Sequence, residues 1–204
     1  MLNEQCNKGV AVYCASSSNI APCYIDEART VGRLLAQAGV PVVSGGGKAG
    51  LMAAVIEGAI EAGGEAVGVL PQFMVDKDWH HPLLTERIIT DTMHQRKMQM
   101  AQMSRAVIAL PGGVGTLDEL FEIITWRQLH LFAGNVVICN TDGFYSRLLD
   151  HLRFTAENGF MRPGAPEKLW HVAENAAQAV KIALSPATDP GVKYHMPDKP
   201  DNRQ

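Results

Sequence analysis

Short apolar runs alternate with longer, helix-periodic stretches along most of the chain. The apolar runs occupy residues 10–14, 40–44, 66–70, 106–110 and 136–139, with a weaker run at 87–90. Helical spacing of apolar residues fills the intervals, at about residues 24–38, 51–62, 92–104, 117–131 and 145–158. Short buried strands that alternate with helices are typical of a parallel sheet covered on both faces. The pattern therefore predicts an α/β fold, a Rossmann-like doubly wound parallel sheet with helices on both faces.

Three of the predicted strands end in loops that are rich in small and polar residues, at 15–19, 44–50 and 111–115. Because the carboxyl ends of parallel strands lie along one edge of a sheet, the three loops should open on the same edge. Ligands of open α/β sheets bind at that edge. The pattern predicts one ligand site built from several loops.

Length and composition are those of an ordinary globular protein: 204 residues, of which 47% are hydrophobic and 19% are charged. This length suffices for one domain with a sizeable core. Beyond about residue 185, apolar residues become scarce and Pro, Asp and Lys predominate. We expect a single domain over residues 1–184 and a polar, flexible tail over residues 185–204.

Charge and cysteine usage restrict the partners and the compartment. A net charge of −3 argues against broad attraction to nucleic acid or membrane surfaces, and no apolar run has the length of a membrane span. Residues 1–9 are polar and do not resemble a signal peptide, and the four cysteines show no C-x-x-C spacing. We expect a cytoplasmic protein with reduced thiols, in which Cys14 and Cys139 are buried packing residues.

The most informative segment, residues 111–119, joins a predicted strand to a predicted helix and reads PGGVGTLDE. Its three glycines, Gly112, Gly113 and Gly115, allow a tight turn that presents bare N–H groups at a helix start, where the dipole favours an anion. The carboxylate of Glu119 follows one turn later. In the alternative interpretation, Thr116 and Glu119 form a capping box that only begins the helix. A cap does not require three glycines, which favours a phosphate site beside a carboxylate.

The loop SGGGKAG at residues 44–50 satisfies G-x-G-x-x-G through Gly45, Gly47 and Gly50, with Gly46 between them. This is the dinucleotide-binding fingerprint, so an NAD-dependent oxidoreductase is one hypothesis. That site needs an acidic residue at the end of the next strand, but the nearest acid, Glu65, precedes the strand. The loop is then either a tight turn or a place where the backbone approaches a nucleotide.

A second segment, residues 93–103, reads MHQRKMQMAQM. Met93, Met100 and Met103 recur at helical spacing and are predicted to pack in the core. Arg96 and Lys97 follow a predicted helix cap at residue 91 or 92, where cations are unfavourable to the helix dipole. Their position favours a role in binding an anionic ligand, and a solvated basic pair is the alternative.

No metal or cofactor site is predicted. His80 and His81 are adjacent and cannot share one ion from one helix face, and no other cluster has the spacing of metal ligands. The lysine and the pyridinium partner that pyridoxal phosphate needs cannot be placed.

Two motifs together, M-H-x-R-K at residues 93–97 and P-G-G-x-G-T-x-x-E at residues 111–119, resemble the LONELY GUY family of cytokinin riboside 5′-monophosphate phosphoribohydrolases, long mislabelled as lysine decarboxylases. The resemblance covers about residues 10–160. It implies hydrolysis of the N-glycosidic bond of a purine nucleoside 5′-monophosphate, of cytokinin type or AMP-like, to free base and ribose 5-phosphate. It also implies a homodimer or a larger homo-oligomer.

By the same resemblance, the family's catalytic residues match Arg96 and Glu119. The substrate-binding positions that the resemblance implies are Ser16, Gly45, Gly46, Gly47, Asp78, Lys97, Gly112, Gly113, Gly115 and Thr116.

The chain departs from the family pattern at several positions. Ala15 and Ala53 stand where Gly is common, and Asp78 stands where many members carry Glu in a ligand-facing loop. Residues 127–135 lack the usual Lys-Pro. These changes leave the phosphate and catalytic positions intact and bear on base preference and assembly.

The residue types suit this chemistry independently of the resemblance. Glycosidic cleavage builds positive charge on the sugar, which the Glu119 carboxylate can stabilise while it orients water. The glycine loop would hold the 5′-phosphate, and Arg96 would fix phosphate or sugar oxygens. The rival hypothesis is a non-catalytic nucleotide- or anion-binding protein on the same fold. The presence of both Arg96 and Glu119 favours the enzyme.

Overall fold

Seven parallel strands form a single sheet in the computed structural model, which describes residues 8–162 and 164–189. Along the chain the strands are β1 (Gly9–Tyr13), β2 (Val42–Ser44), β3 (Ala66–Pro71), β4 (Glu86–Thr90), β5 (Ser104–Ala109), β6 (Asn135–Cys139) and β7 (His171–Ala173). Their order across the sheet is β4-β3-β2-β1-β5-β6-β7, and every pairing is parallel.

Helices cover both faces of the sheet. They are α1 (Pro22–Gln37), α2 (Gly50–Glu61), α3 (Gln72–Asp76), α4 (Met93–Gln102), α5 (Val114–Gln128), α6 (Ser146–Glu157), α7 (Ala165–Leu169) and α8 (Ala176–Leu184), with a 3-10 turn at Thr141–Gly143. Alternate residues of β1 enter different apolar clusters. Val10 and Val12 pack with α1, α2 and α8, whereas Ala11 and Tyr13 pack with α4 and α5. The predicted doubly wound α/β fold is confirmed.

Chain order reverses next to β1, which lies between β2 and β5. Such a switch point leaves a crevice at the carboxyl ends of the two central strands. The register pairs Tyr13 with Ala109 at these ends, and the amide of Ala15 donates to the carbonyl of Pro111 at 3.1 Å. The loops that follow β1 and β5 are therefore held together at the crevice.

Several short elements were not predicted: α3, α7, β7 and α8. The strand β7 has three residues and contains the polar His171, and α7 has five residues. Segments of three to five residues carry no measurable periodicity, so only their packing against neighbouring elements defines α3, α7 and β7. Helix α8 has nine residues with buried positions at helical spacing, which the sequence prediction missed.

The first residues of the predicted tail contact the domain. Asn135 donates from Nδ2 to the carbonyl of Ser185 at 3.1 Å, and Arg127 donates from Nη2 to the carbonyl of Thr188 at 2.9 Å. The remainder of the predicted tail, residues 190–204, lies outside the described residues. The domain boundary at residue 184 stays a prediction.

Residues 1–7, which make up most of the amino-terminal segment considered above, also lie outside the described residues. Within the described ranges, no helix is long and apolar enough to cross a membrane. Cys14 and Cys139 are buried free thiols, as predicted.

Candidate active site

A cavity of about 670 Å³ opens at the switch point, a volume typical of small-molecule sites. Its walls come from the loops after β1, β2 and β5 together with α4 and α5. The three loops thus open on the same edge of the sheet, as predicted. The predicted site residues that line the cavity are Ser16, Gly47, Arg96, Gly113, Gly115, Thr116 and Glu119.

Helix α5 begins three residues earlier than predicted. Its first residue is Val114 and its N-cap is Gly113, whose backbone is extended. Thr116 therefore lies inside the first turn and cannot act as an N-cap, so the capping-box interpretation of Thr116 and Glu119 is wrong. The first intrahelical bond runs from the amide of Leu117 to Gly113 at 3.0 Å. The three amides before it are left to face a ligand, and the helix dipole favours an anion there.

The site glycines serve two different purposes. A Cβ on Gly112 would lie 2.1 Å from Thr116 Oγ1, and a Cβ on Gly45 would lie 1.8 Å from Arg96 Nη2. These two glycines make room for the protein's own side chains. A Cβ on Gly113 or Gly115 would meet no described atom within 4 Å, and neither residue has a positive φ. Packing among the described residues therefore does not require glycine at 113 or 115, and both positions leave the backbone open to the cavity.

Arg96 and Glu119 form a buried ion pair, with Arg96 Nη1 at 2.7 Å from Glu119 Oε1. The exposed fractions of the two residues are 4% and 9%. Arg96 comes from α4, which is fixed by a capping box between Thr92 and Gln95, and its Nε donates to the carbonyl of Val69 at 3.0 Å. The cap at residue 92 agrees with the sequence, and the alternative of a solvated basic pair is wrong.

Burial sets the ionisation of Glu119. Desolvation raises the pKa of this carboxyl above its usual range, and the attraction of Arg96 offsets only part of that rise. The group is a carboxyl in a low-dielectric cavity wall, next to a cation that is also buried. Such an environment is more often found at catalytic carboxylates than at structural ones.

Lys97 lies behind the cavity rather than in its lining. Its Nζ is 3.0 Å from Asp118 Oδ2 and 3.3 Å from Glu122 Oε2, so it ties α4 to α5. Burial by itself would lower the pKa of Lys97, but the hydrogen bonds to Asp118 and Glu122 outweigh it and raise the pKa. Any contact of Lys97 with substrate would require Lys97 to leave these partners.

Asp78 is also outside the cavity lining, with its side chain 77% exposed. Its Oδ2 pairs with Lys48 Nζ at 2.7 Å, and this hydrogen bond lowers the pKa of Asp78. His80 Nδ1 is 3.8 Å from the other oxygen of the carboxylate. In the part of the chain that the structure describes, no group of three His, Cys, Asp or Glu side chains is arranged to hold a metal ion.

The remaining predicted positions, Gly45, Gly46 and Gly112, lie in the loops after β2 and β5. Gly46 has φ of +68° and a Cβ there would lie 2.6 Å from Leu70 Cδ1. Gly45, Gly46 and Gly112 therefore lie behind the lining as packing positions.

The sequence did not reveal an apolar wall formed by Met52, Met74, Trp79 and Met93. Met93 is 43% exposed, so its prediction as a core residue is wrong, whereas Met100 is fully buried and Met103 packs against the core as predicted. Helical spacing alone does not distinguish a core face from a face that lines a cavity. The cavity lining thus combines a charged part, Arg96 and Glu119, with an apolar part made of these methionines and Trp79.

Comparisons with known proteins bear on the family. Residues 52–183 match a family model described as "Possible lysine decarboxylase". The chain is 38% identical over 184 residues to the cytokinin riboside 5′-monophosphate phosphoribohydrolase LOG5 of Arabidopsis thaliana, over 89% of this chain and 80% of that protein. It is 37% identical over 180 residues to a cytokinin riboside 5′-monophosphate phosphoribohydrolase of Rhodococcoides fascians, over 88% and 90%.

Solved structures share the fold. The molybdenum cofactor carrier protein of Chlamydomonas reinhardtii aligns with a TM-score of 0.66 at 23% identity, over 86% of this chain and 94% of that chain. The molybdenum cofactor binding protein of Rippkaea orientalis aligns with a TM-score of 0.65 at 21% identity, over 85% and 94%. At this level of identity the likeness extends to the fold alone.

Substitution by alanine should separate the two kinds of glycine. In Gly45→Ala the added methyl collides with the guanidinium of Arg96, so we expect the free energy of unfolding to fall by about 1–3 kcal/mol. In Gly115→Ala the methyl meets open space on a helix, so we expect equal or slightly higher stability. Urea denaturation of both variants measures this difference. Equal losses in the two variants would contradict the packing described here.

Proposed function

The chain belongs to the LONELY GUY family of cytokinin riboside 5′-monophosphate phosphoribohydrolases, and from that premise we propose that it hydrolyses the N-glycosidic bond of purine nucleoside 5′-monophosphates. The products are the free base and ribose 5-phosphate. The observation that carries the proposal is the buried Arg96–Glu119 pair in the same cavity wall as the free amides at the start of α5. The amides suit the phosphate, and the Arg96–Glu119 pair suits the reacting sugar.

The 5′-phosphate binds at the start of α5. The amides of Val114, Gly115 and Thr116 supply hydrogen-bond donors, and the helix dipole adds favourable charge. Glycine at 113 and 115 lets phosphate oxygens approach the backbone without meeting a Cβ. Binding energy at the phosphate then holds the anomeric carbon in place, so nucleosides without phosphate should react poorly.

Glu119 acts at the anomeric carbon. As the bond from C1′ to the base nitrogen breaks, positive charge develops on the ribose, and the ionised carboxylate of Glu119 stabilises that charge. A water molecule adds its oxygen to C1′, and its proton balances the negative charge left on the departing base. Arg96 fixes the carboxylate, since its Nη1 donates to Glu119 Oε1 at 2.7 Å.

The base contacts the apolar part of the cavity lining. Methionine side chains are flexible and fill irregular space, so a wall containing Met52, Met74 and Met93 can accept bases with apolar substituents as well as adenine. We therefore propose a range that includes cytokinin-type and AMP-like nucleotides.

The decisive test is Glu119→Gln. We expect the variant to fold, because glutamine can accept the hydrogen bond from Arg96, and to lose at least about 100-fold in kcat, because the negative charge is gone. Release of base and ribose 5-phosphate from AMP and N6-alkylated analogues is measured by chromatography.

The matched control is Glu122→Gln, the same substitution at another carboxylate of α5 that pairs with Lys97 but lies outside the cavity lining. It should keep most of the activity. Wild-type protein that binds AMP but releases no base from any of these nucleotides would refute the hydrolase and support a non-catalytic binding protein.

The raised pKa of Glu119 predicts an acid-side loss of activity. Below that pKa the carboxyl is neutral and cannot stabilise the sugar cation, so kcat/KM should fall as the pH is lowered. The midpoint should lie above about 4.3, the usual value for Glu, because burial raises the pKa. The phosphate of the substrate titrates as well as Glu119. Inhibition by ribose 5-phosphate, measured over the same pH range, reports that titration, and the midpoint is corrected for it. A corrected midpoint at or below about 4.3 would contradict the proposed ionisation.

We further propose that the working form is a homodimer or a larger homo-oligomer. Large apolar side chains are exposed on the two helices beside the cavity, Met93 and Met98 on α4 and Val114 and Phe121 on α5. Sedimentation velocity should give a dimer or larger species for the wild type and a smaller species for Phe121→Glu. Leu131→Glu, at an exposed residue just beyond α5, should leave the mass unchanged. A monomeric wild type would rule out this assembly.

The proposed compartment is the cytoplasm. The free thiols of Cys14, Cys23 and Cys139 are consistent with a reducing environment.

A further inference from the structure

We propose that Trp79 selects the base, by presenting one face of its indole ring on which a purine stacks. The proposal rests on the function proposed above and assigns a residue that the family motifs do not contain. The apolar part of the cavity lining would then hold the base by aromatic stacking.

Trp79 is a large aromatic side chain that lines the cavity and yet is 46% exposed. Its ring meets Phe73 edge to face, with 6.5 Å between the centroids and 80° between the planes. The ammonium of Lys77 lies 4.9 Å from the centroid of the Trp79 ring. The indole is thus contacted by Phe73 and Lys77 and remains partly exposed in the cavity lining.

The backbone around Trp79 is fixed from two directions. Its carbonyl accepts from the amide of Lys48 at 3.1 Å, and its amide donates to the carbonyl of Met74 at 3.0 Å. Two residues on, the amide of His81 donates to the carbonyl of Gly46 at 2.7 Å. These bonds join the segment to the loop after β2, so the backbone that carries the ring is held in place before a ligand arrives.

The position of Lys77 determines what the ring can bind. A cation already sits against the indole, which disfavours a second cation and leaves the ring able to stack with a neutral aromatic group. A purine offers a larger stacking area than a pyrimidine. The charged pair of Arg96 and Glu119 lines the same cavity and provides the polar contacts for the sugar, while the indole provides a stacking face for the base.

Trp79→Ala and Trp79→Phe test this role. Loss of a stacked aromatic ring should raise KM for AMP by about 5- to 150-fold, with a smaller change in kcat. Inhibition by ribose 5-phosphate, which lacks a base, should change by less than about twofold. Phenylalanine retains a ring face and should restore most of the affinity for AMP. The preference for AMP over CMP should fall in Trp79→Ala.

An unchanged KM for AMP in Trp79→Ala would overturn the proposal. Equal weakening of AMP binding and of inhibition by ribose 5-phosphate would also overturn it, because that result indicates a collapsed loop. If the wild type releases no base from AMP or from its N6-alkylated analogues, the proposed function fails, and the binding of AMP then tests the role of Trp79 separately. Quenching of tryptophan fluorescence by AMP in the wild type that is absent in Trp79→Phe would support stacking. Equal quenching in the two proteins, from the remaining Trp126 and Trp170, would refute it.

Discussion

The buried ion pair between Arg96 and Glu119 is the constraint around which the site is arranged. Taking both charges out of water costs several kcal/mol per ion, and apolar residues of similar volume often stabilise a protein as well or better. The pair is therefore poorly explained by stability alone. The raised pKa of Glu119 points the same way, because burial outweighs the attraction of Arg96 for this carboxyl. The chain keeps a carboxylate where ionisation is unfavourable, which is understandable if a positive charge develops beside it during the reaction.

The same pair explains a sequence feature that suggests a dinucleotide site. The loop after β2 matches the Rossmann fingerprint, but its glycines accommodate the protein itself. Gly45 leaves space for the guanidinium of Arg96, and Gly50, with φ of +62°, lets α2 approach the carbonyl of Ser17. A Cβ at Gly50 would lie 2.3 Å from that oxygen. Two of the three fingerprint glycines, Gly45 and Gly50, are thus explained by close packing inside the protein, and the missing acidic residue after β3 is then no anomaly.

The alternation of apolar runs and helical periodicity was sufficient to predict the sheet, its parallel strands and the edge at which the loops meet. The nine-residue segment at 111–119 was harder, because three glycines and a T-x-x-E pattern suggested a loop followed by a cap, whereas α5 starts at Val114. Arg96 and Glu119 were identified from paired motifs, but their contact across 23 residues is a product of the fold. Nothing local distinguishes Met93, which lines the cavity, from Met100, which is fully buried. Such roles depend on which helix packs against which, and sequence spacing does not contain that information.

The charged and the apolar parts of the cavity lining differ in how well they exclude water. Glu119 and Arg96 are both nearly inaccessible within one chain. The apolar part has an open rim, at which Trp79 and Met93 are each more than two-fifths exposed, and the neighbouring first residue of α5, Val114, is 84% exposed. Electrostatic stabilisation of a sugar cation is strongest where water is excluded, so an open apolar rim is unfavourable for the proposed reaction. A second copy of the chain packed on α4 and α5 would cover that rim and bury its apolar side chains at the same time. The proposed assembly and the proposed chemistry therefore depend on the same exposed surface.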